Sequence, residues 1–140
     1  MVNSRKVNWQ PLSMIPLFLK MVDGMLESAQ EQLGNLQQAK HKPHVLDDEI
    51  IQRLLKLYPE QKEDIPYYLE QCQRWKNETT NPDQIKNIVI IENKLNELKQ
   101  VNQQILSLVD YCKDRTINKI LAKDDLELGL DFLTGKLDLP

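Results

Sequence analysis

The sequence predicts an all-α fold, an up-down-up bundle of three long antiparallel helices with a short fourth helix at the C-terminal end. Two stretches carry apolar residues at alternating spacings of three and four, the pattern of a helix with one buried stripe. Only four glycines occur in 140 residues, which argues against a fold with many turns and strands. This length is typical of one domain, so residues 1–140 are expected to share one core, with residues 1–10 and 136–140 frayed.

The first predicted helix begins at Ser13, a residue type that caps helix starts, and continues to about Lys40. Pro16 then falls in the first turn, where its missing N–H is not needed. The apolar stripe of this helix consists of Leu12, Ile15, Leu19, Val22, Leu26, Ala29, Leu33 and Leu36. Its seven-residue period predicts a long seam that packs against other helices.

The second predicted helix starts at Asp47, a good N-cap that is followed by further acidic residues. Apolar residues recur at helical spacing as far as Trp75, but Pro59 and Pro66 fall within this stretch. Proline removes a helix hydrogen bond and crowds the preceding turn, so the stretch is either one kinked helix or two helices. We favour one kinked helix.

The third predicted helix has a strong start signal, with Asn81 as N-cap and Pro82 at the first helical position. Its stripe repeats every seven residues and consists of Ile88, Ile91, Leu95, Leu98, Asn102, Ile105, Val109 and Cys112. Asn102 interrupts this apolar stripe. It is either buried, where it fixes register or oligomeric state, or half buried with local hydrogen bonds.

The end of the third helix is left open between Lys113 and Lys123, because neither glycine nor proline occurs there. A short C-terminal helix is predicted from Asp124 to about Gly135, covering part of the open side of the bundle. Apolar surface that stays uncovered predicts self-association, with a homodimer as its expected form.

Composition indicates a cytoplasmic protein without a membrane span. Its two cysteines are too few and too far apart in sequence for a disulfide framework, which indicates a reducing compartment. The N-terminal apolar run ends at Lys20 without a cleavage site, and no run reaches about 18 apolar residues. The net charge of −3 and the lack of aromatic residues among the basic ones argue against nucleic-acid binding.

One end of the predicted bundle collects candidate metal ligands. Antiparallel packing places the loop after the first helix beside the end of the third, which brings His41, His44, Asp47 and Cys112 to one end. These residue types bind Zn²⁺ or Fe²⁺, so they suggest a metal-binding protein or a metal-dependent enzyme. The alternative is a polar loop in which the acids cap the next helix, since Pro43 separates the two histidines.

The opposite end is expected to collect the large aromatic residues Trp9, Trp75 and Tyr68. Such residues either plug the end of a core or anchor a partner surface. Motifs of hydrolases, nucleotide-binding loops and dinucleotide turns are not found in the sequence. We therefore expect a non-enzymatic helical interaction or assembly protein without a cofactor, which binds itself or another protein through an apolar helix face.

Overall fold

The computed structural model describes residues 7–122 as three long helices and their connections. The helices are α1 (Ile15–Ala39), α2 (Asp48–Glu78) and α3 (Pro82–Cys112). Single 3₁₀ turns at Leu12–Met14 and Pro43–Val45 precede the first two helices. Residues 7–122 contain no strand, so the all-α prediction is confirmed.

Helix α1 starts differently from the prediction. The chain enters it through the 3₁₀ turn, which contains Ser13, and Met14 occupies the N-cap position without a side-chain hydrogen bond. Ser13 therefore does not cap α1, because the turn that precedes the helix already includes it. Pro16 does lie in the first turn, as predicted, and the helix ends one residue before Lys40.

Helix α2 is one continuous helix that contains both Pro59 and Pro66, which confirms one helix over two. Its start is also as predicted, since the Asp47 carboxylate accepts a hydrogen bond from the Ile50 backbone N–H at 2.8 Å. Ile65, beside the second proline, is buried in the core. Packing of this kind compensates a helix for the hydrogen bonds that proline removes.

Helix α3 packs against both α1 and α2 and carries the predicted stripe. The side chain of Asn81 caps it, accepting from the backbone N–H groups of Asp83 at 2.9 Å and Gln84 at 3.1 Å. Asn102 is only 1% exposed, so the half-buried alternative for this residue is wrong. The central position of α3 explains why its stripe is the most completely buried of the three.

Ion pairs show the helix directions. Lys94 of α3 pairs with Asp23 of α1 at 2.8 Å, and Lys76 of α2 pairs with Glu92 of α3 at 2.6 Å. The ammonium of Lys40 lies over the Tyr111 ring at the C-terminal ends of α1 and α3, so these two helices are parallel. Asn102 of α3 donates to the Tyr58 carbonyl of α2, so α3 is antiparallel to α2, as an up-down-up bundle requires.

The chain turns after α3 and becomes helical again over residues 117–122. The Ile117 backbone N–H donates to the Leu46 carbonyl at 2.9 Å, which fixes this segment beside the start of α2. The predicted helix from Asp124 to Gly135 lies outside the described residues, as do residues 1–6 and 136–140 of the predicted frayed ends. No helix within residues 7–122 is both long and apolar enough to cross a lipid bilayer.

Candidate functional site

Aromatic and methionine side chains line a cleft of about 370 Å³ beside the N-terminal end of α1. We call it the aromatic cleft. Its aromatic and methionine side chains are Trp9 before α1, Met14 at the N-cap of α1, Phe18 and Met21 along α1, and Tyr67 and Tyr68 on α2. Helix α3 contributes no lining residue, so the cleft belongs to α1, α2 and the segment that precedes α1.

Of the three predicted aromatic residues, Trp75 lies in the core and the other two line the cleft. Trp75 is fully buried, and its indole N–H donates to the Gln10 carbonyl at 2.9 Å. Trp9 and Tyr68 are half-buried. Phe18 joins the two environments through edge-on ring contacts, with its centroid 5.2 Å from that of Trp75 and 5.4 Å from that of Tyr68.

A pair of glutamines holds the segment before α1 against α2. The Gln10 backbone N–H donates to Gln71 Oε1 at 2.6 Å, and Gln71 Nε2 donates back to the Gln10 carbonyl at 3.3 Å. Gln71 is 3% exposed, and both the oxygen and the nitrogen of its side-chain amide are hydrogen-bonded in the interior. Gln71 was not predicted from the sequence, although its position four residues before Trp75 on the apolar stripe was a usable signal.

Arg74 fixes the ring of Trp9. Its guanidinium lies 4.1 Å from the Trp9 ring centroid, and the same group pairs with Glu70 at 3.5 Å. A cation over an indole face is attractive by about 0.5–1 kcal/mol at an exposed site. Trp9 is thereby held as a wall of the cleft.

The four predicted metal ligands do not form a ligand set. The Asp47 carboxylate caps α2, and Cys112 is fully buried on the inner face of α3. His44 is exposed in the 3₁₀ turn, while His41 is exposed beside a separate groove between α1 and α3. Within residues 7–122, no group of three His, Cys, Asp or Glu side chains is arranged to hold a metal ion. The described geometry gives the Zn or Fe alternative no support.

Asp48, next to the cap, joins the last described segment to α2. Its carboxylate accepts from the Thr116 hydroxyl at 2.6 Å and from Lys119 Nζ at 3.3 Å, and its backbone N–H donates to Asn118 Oδ1. The hydrogen bond from Thr116 lowers the pKa of Asp48. Lys113 similarly pairs with Asp110 at 2.9 Å. Lys113 and Lys119 therefore each form an ion pair with a nearby aspartate.

Both cysteines are free and buried. Burial raises the pKa of Cys72 to about 12, with the nearby Glu92 carboxylate adding to the effect. Burial also raises the pKa of Cys112. Both side chains therefore serve as small core hydrophobes at neutral pH.

The sequence matches no protein-family model, and no curated protein or solved structure shows significant similarity to it. The aromatic cleft is therefore the basis on which a function is proposed.

Proposed function

We propose that this chain is a non-enzymatic helical interaction protein, which receives an apolar helix of a partner protein in the aromatic cleft. The observation that carries this proposal is an open cleft in which six of the ten lining residues are aromatic residues or methionines. Trp and Tyr are the residues most often found at the energetic centre of protein interfaces, and Met adapts its shape to different partners.

The spacing of the cleft residues favours a helix as the occupant. Met14, Phe18 and Met21 follow one another at intervals of four and three, so they form a ridge that starts at the N-cap of α1 and continues along one face of the helix. Tyr67 and Tyr68 lie across the cleft on α2. A helix fits between two such ridges by placing its own row of side chains in the groove. Docked there, it would contact α1 and α2 and extend the bundle to four helices.

The walls of the cleft are held in place by hydrogen bonds and ring contacts with α2. Gln71 fixes the segment that carries Trp9, and Arg74 fixes the Trp9 ring. The buried Trp75 supports Phe18 from below. A binding surface ordered beforehand loses less conformational entropy when a partner docks, which favours affinity.

Exposed apolar side chains extend the cleft along α1. Leu17 is 59% exposed and Met21 is 39% exposed, and they lie one helical turn apart. A partner helix longer than the cleft would cover both. These residues provide the apolar rim that a docked helix needs.

Selection of helical peptides tests this proposal. A library of amphipathic peptides is displayed on phage and selected on the immobilised protein, and the affinity of the enriched peptides is measured by calorimetry. We expect enrichment of large apolar residues at i, i+3, i+4 and i+7. Met21→Glu places a charge where the apolar face docks and should weaken binding about tenfold or more.

Val89→Glu is the matched control, because Val89 is 40% exposed and lies on α3, which contributes nothing to the cleft. It should leave the affinity unchanged. Enriched peptides without a helical pattern, or equal weakening by both variants, would contradict the proposal. Concentration-dependent self-association that Met21→Glu abolishes would instead make the occupant a second copy, as in the predicted homodimer.

A further inference from the structure

Helix α3 carries a second seven-residue stripe on the side that faces away from the core. From Val89 to Ser107 its members follow one another at alternating spacings of four and three, and Ile85 and Tyr111 continue it by one turn at each end. All of its members are exposed. We call it the outer stripe; it consists of Ile85, Val89, Asn93, Asn96, Gln100, Gln103, Ser107 and Tyr111. This spacing is that of a seam along which two helices pack.

The outer stripe contains no charged residue, although the solvent-facing side of a surface helix is normally charged. Nine of the fifteen exposed residues of α2 are charged, whereas only four of the thirteen exposed residues between positions 85 and 111 of α3 are charged. The two helices belong to the same bundle, so the contrast is a property of this face of α3. Depletion of charge is typical of the centre of a protein interface.

The few exposed charges of α3 lie along the edges of the outer stripe and balance one another. At about 100° per residue, Lys86 and Glu97 fall on one edge, and Lys99 and Asp110 fall on the other. Each edge therefore carries one positive and one negative side chain. Two such faces meet without net repulsion, so the charges of the outer stripe and its edges are compatible with a copy of the same face.

The amide side chains make a second copy of this chain the partner that fits the outer stripe best. Asparagine and glutamine each offer donors and an acceptor, so Asn96, Gln100 and Gln103 can form hydrogen bonds with the same residues of an identical face. An apolar partner helix would instead cover these groups without satisfying them, which is costly. A face that complements itself is what a two-fold symmetric dimer requires.

The dimensions of the outer stripe set the expected strength of the contact. Residues 85–111 span about 39 Å of helix, and a helix with its side chains is about 10–12 Å wide. The footprint is then about 400 Å² on each copy, half of the roughly 800 Å² that each partner buries in a standard stable interface. The contact should therefore be weak, with a Kd of about 10–100 µM.

We propose that the outer stripe packs against the outer stripe of a second copy, which makes this chain a weak, reversible homodimer. This contact differs from the self-association expected from apolar surface, because it uses an uncharged and mainly polar face. It leaves the aromatic cleft open, since α3 contributes no lining residue to the cleft. The dimer does not depend on the function proposed for the cleft.

Sedimentation equilibrium at protein concentrations from about 5 to 500 µM tests the dimer. The wild-type protein should pass from monomer to dimer within this range. The double variant Gln100→Glu and Gln103→Glu keeps the shape of both side chains and places like charges face to face, so the Kd should rise about tenfold or more. The matched control, Gln52→Glu with Gln73→Glu, adds the same charge at exposed positions of α2 and should leave the Kd unchanged.

Mixing variants distinguishes recognition between the two faces from a general loss of structure. The double variant Gln100→Lys and Gln103→Lys should also dimerise weakly on its own, but its equimolar mixture with the glutamate variant should recover a dimer, because unlike charges then face each other. A strictly monomeric wild-type protein at about 500 µM, or a mixture that stays monomeric, would overturn the proposal. A dimer that both glutamates leave intact and that Met21→Glu dissociates would overturn it as well and would place the contact at the aromatic cleft.

Discussion

Replacing Asn102 by leucine should make the protein more stable, which is unusual for a change at a fully buried position. The side chain is 1% exposed and lies in a stripe of α3 that is otherwise apolar. Leucine has the same number of side-chain heavy atoms, branched at the same carbon, and removes the acceptor that lacks a partner within residues 7–122. A buried acceptor without a partner costs stability, so asparagine should be less favourable here than leucine.

The magnitude follows from three contributions. Removing an unpaired buried acceptor gains about 1–3 kcal/mol, and losing the two hydrogen bonds that Asn102 Nδ2 donates, to the Tyr58 carbonyl and to Gln61 Oε1, costs about 1–3 kcal/mol in total. A buried leucine side chain contributes about 1.5–3 kcal/mol of apolar burial. The net expectation is a free energy of unfolding that is higher by about 1–3 kcal/mol.

Urea unfolding followed by circular dichroism measures this difference. Asn102→Leu should move the midpoint to higher urea while the slope stays unchanged, as for a pure change in stability. The reverse exchange, Leu98→Asn in the same stripe, should cost about 3 kcal/mol or more, because it buries an amide that has no prepared partners. An Asn102→Leu variant less stable than wild type by about 1 kcal/mol or more would refute the reasoning.

Three further outcomes are expected from the same structure. Gly24→Ala and Gly34→Ala should each raise the free energy of unfolding in urea by about 0.5–1 kcal/mol, because alanine favours the helix more than glycine does. A Cβ at either position meets nothing within 4 Å, so no clash opposes this gain. Destabilisation by either variant would contradict this prediction. Gln71→Leu should lower the free energy of unfolding by about 1–3 kcal/mol, because it leaves the Gln10 N–H without its partner. The control Gln73→Leu, at an exposed position, should change the free energy of unfolding little. Equal effects of the two variants would refute the role given to Gln71. The Cys72 thiol should make the protein less stable as the pH rises into the alkaline range, because it ionises more readily in the unfolded chain. The thiol ionises near pH 8.5 when unfolded and at about 12 when folded, so its contribution is complete below about pH 8.5 and is lost as the pH rises toward 12. Cys72→Val should flatten that decline in unfolding curves recorded from pH 8 to 11, and an unchanged decline would show that other groups cause it.

Local signals in the sequence were sufficient to predict much of the fold. The caps Asp47 and Asn81 act on the residues that directly follow them, and both were identified from residue type and position. All eight residues of the predicted α3 stripe are buried, because α3 packs on both neighbours and a single period describes most of its buried face. Ser13 was misassigned because the 3₁₀ turn around it leads from Gln10, whose position depends on contacts 61 and 65 residues away in sequence.

The candidate sites depend on details that helical period does not contain. The sequence placed Cys112 and Asp47 at one end of the bundle, but not the direction of each side chain: the thiol lies in the core and the carboxylate caps α2. The aromatic residues were expected at the opposite end, yet the cleft between them depends on how far α1 and α2 separate there. Likewise, Asn102 was recognised as an interruption, whereas its unpaired oxygen follows from the positions of Tyr58 and Gln61.

The central claim, that the aromatic cleft receives a partner helix, is tested most directly by ¹⁹F NMR of protein labelled with fluorotryptophan. The chain contains only two tryptophans, Trp9 in the cleft and Trp75 in the core, so each gives an assignable signal. On titration with a selected amphipathic peptide, the Trp9 signal should move strongly and saturate, the Trp75 signal should move much less, and Met21→Glu should suppress both changes. A bound peptide that leaves the Trp9 signal in place would contradict the account.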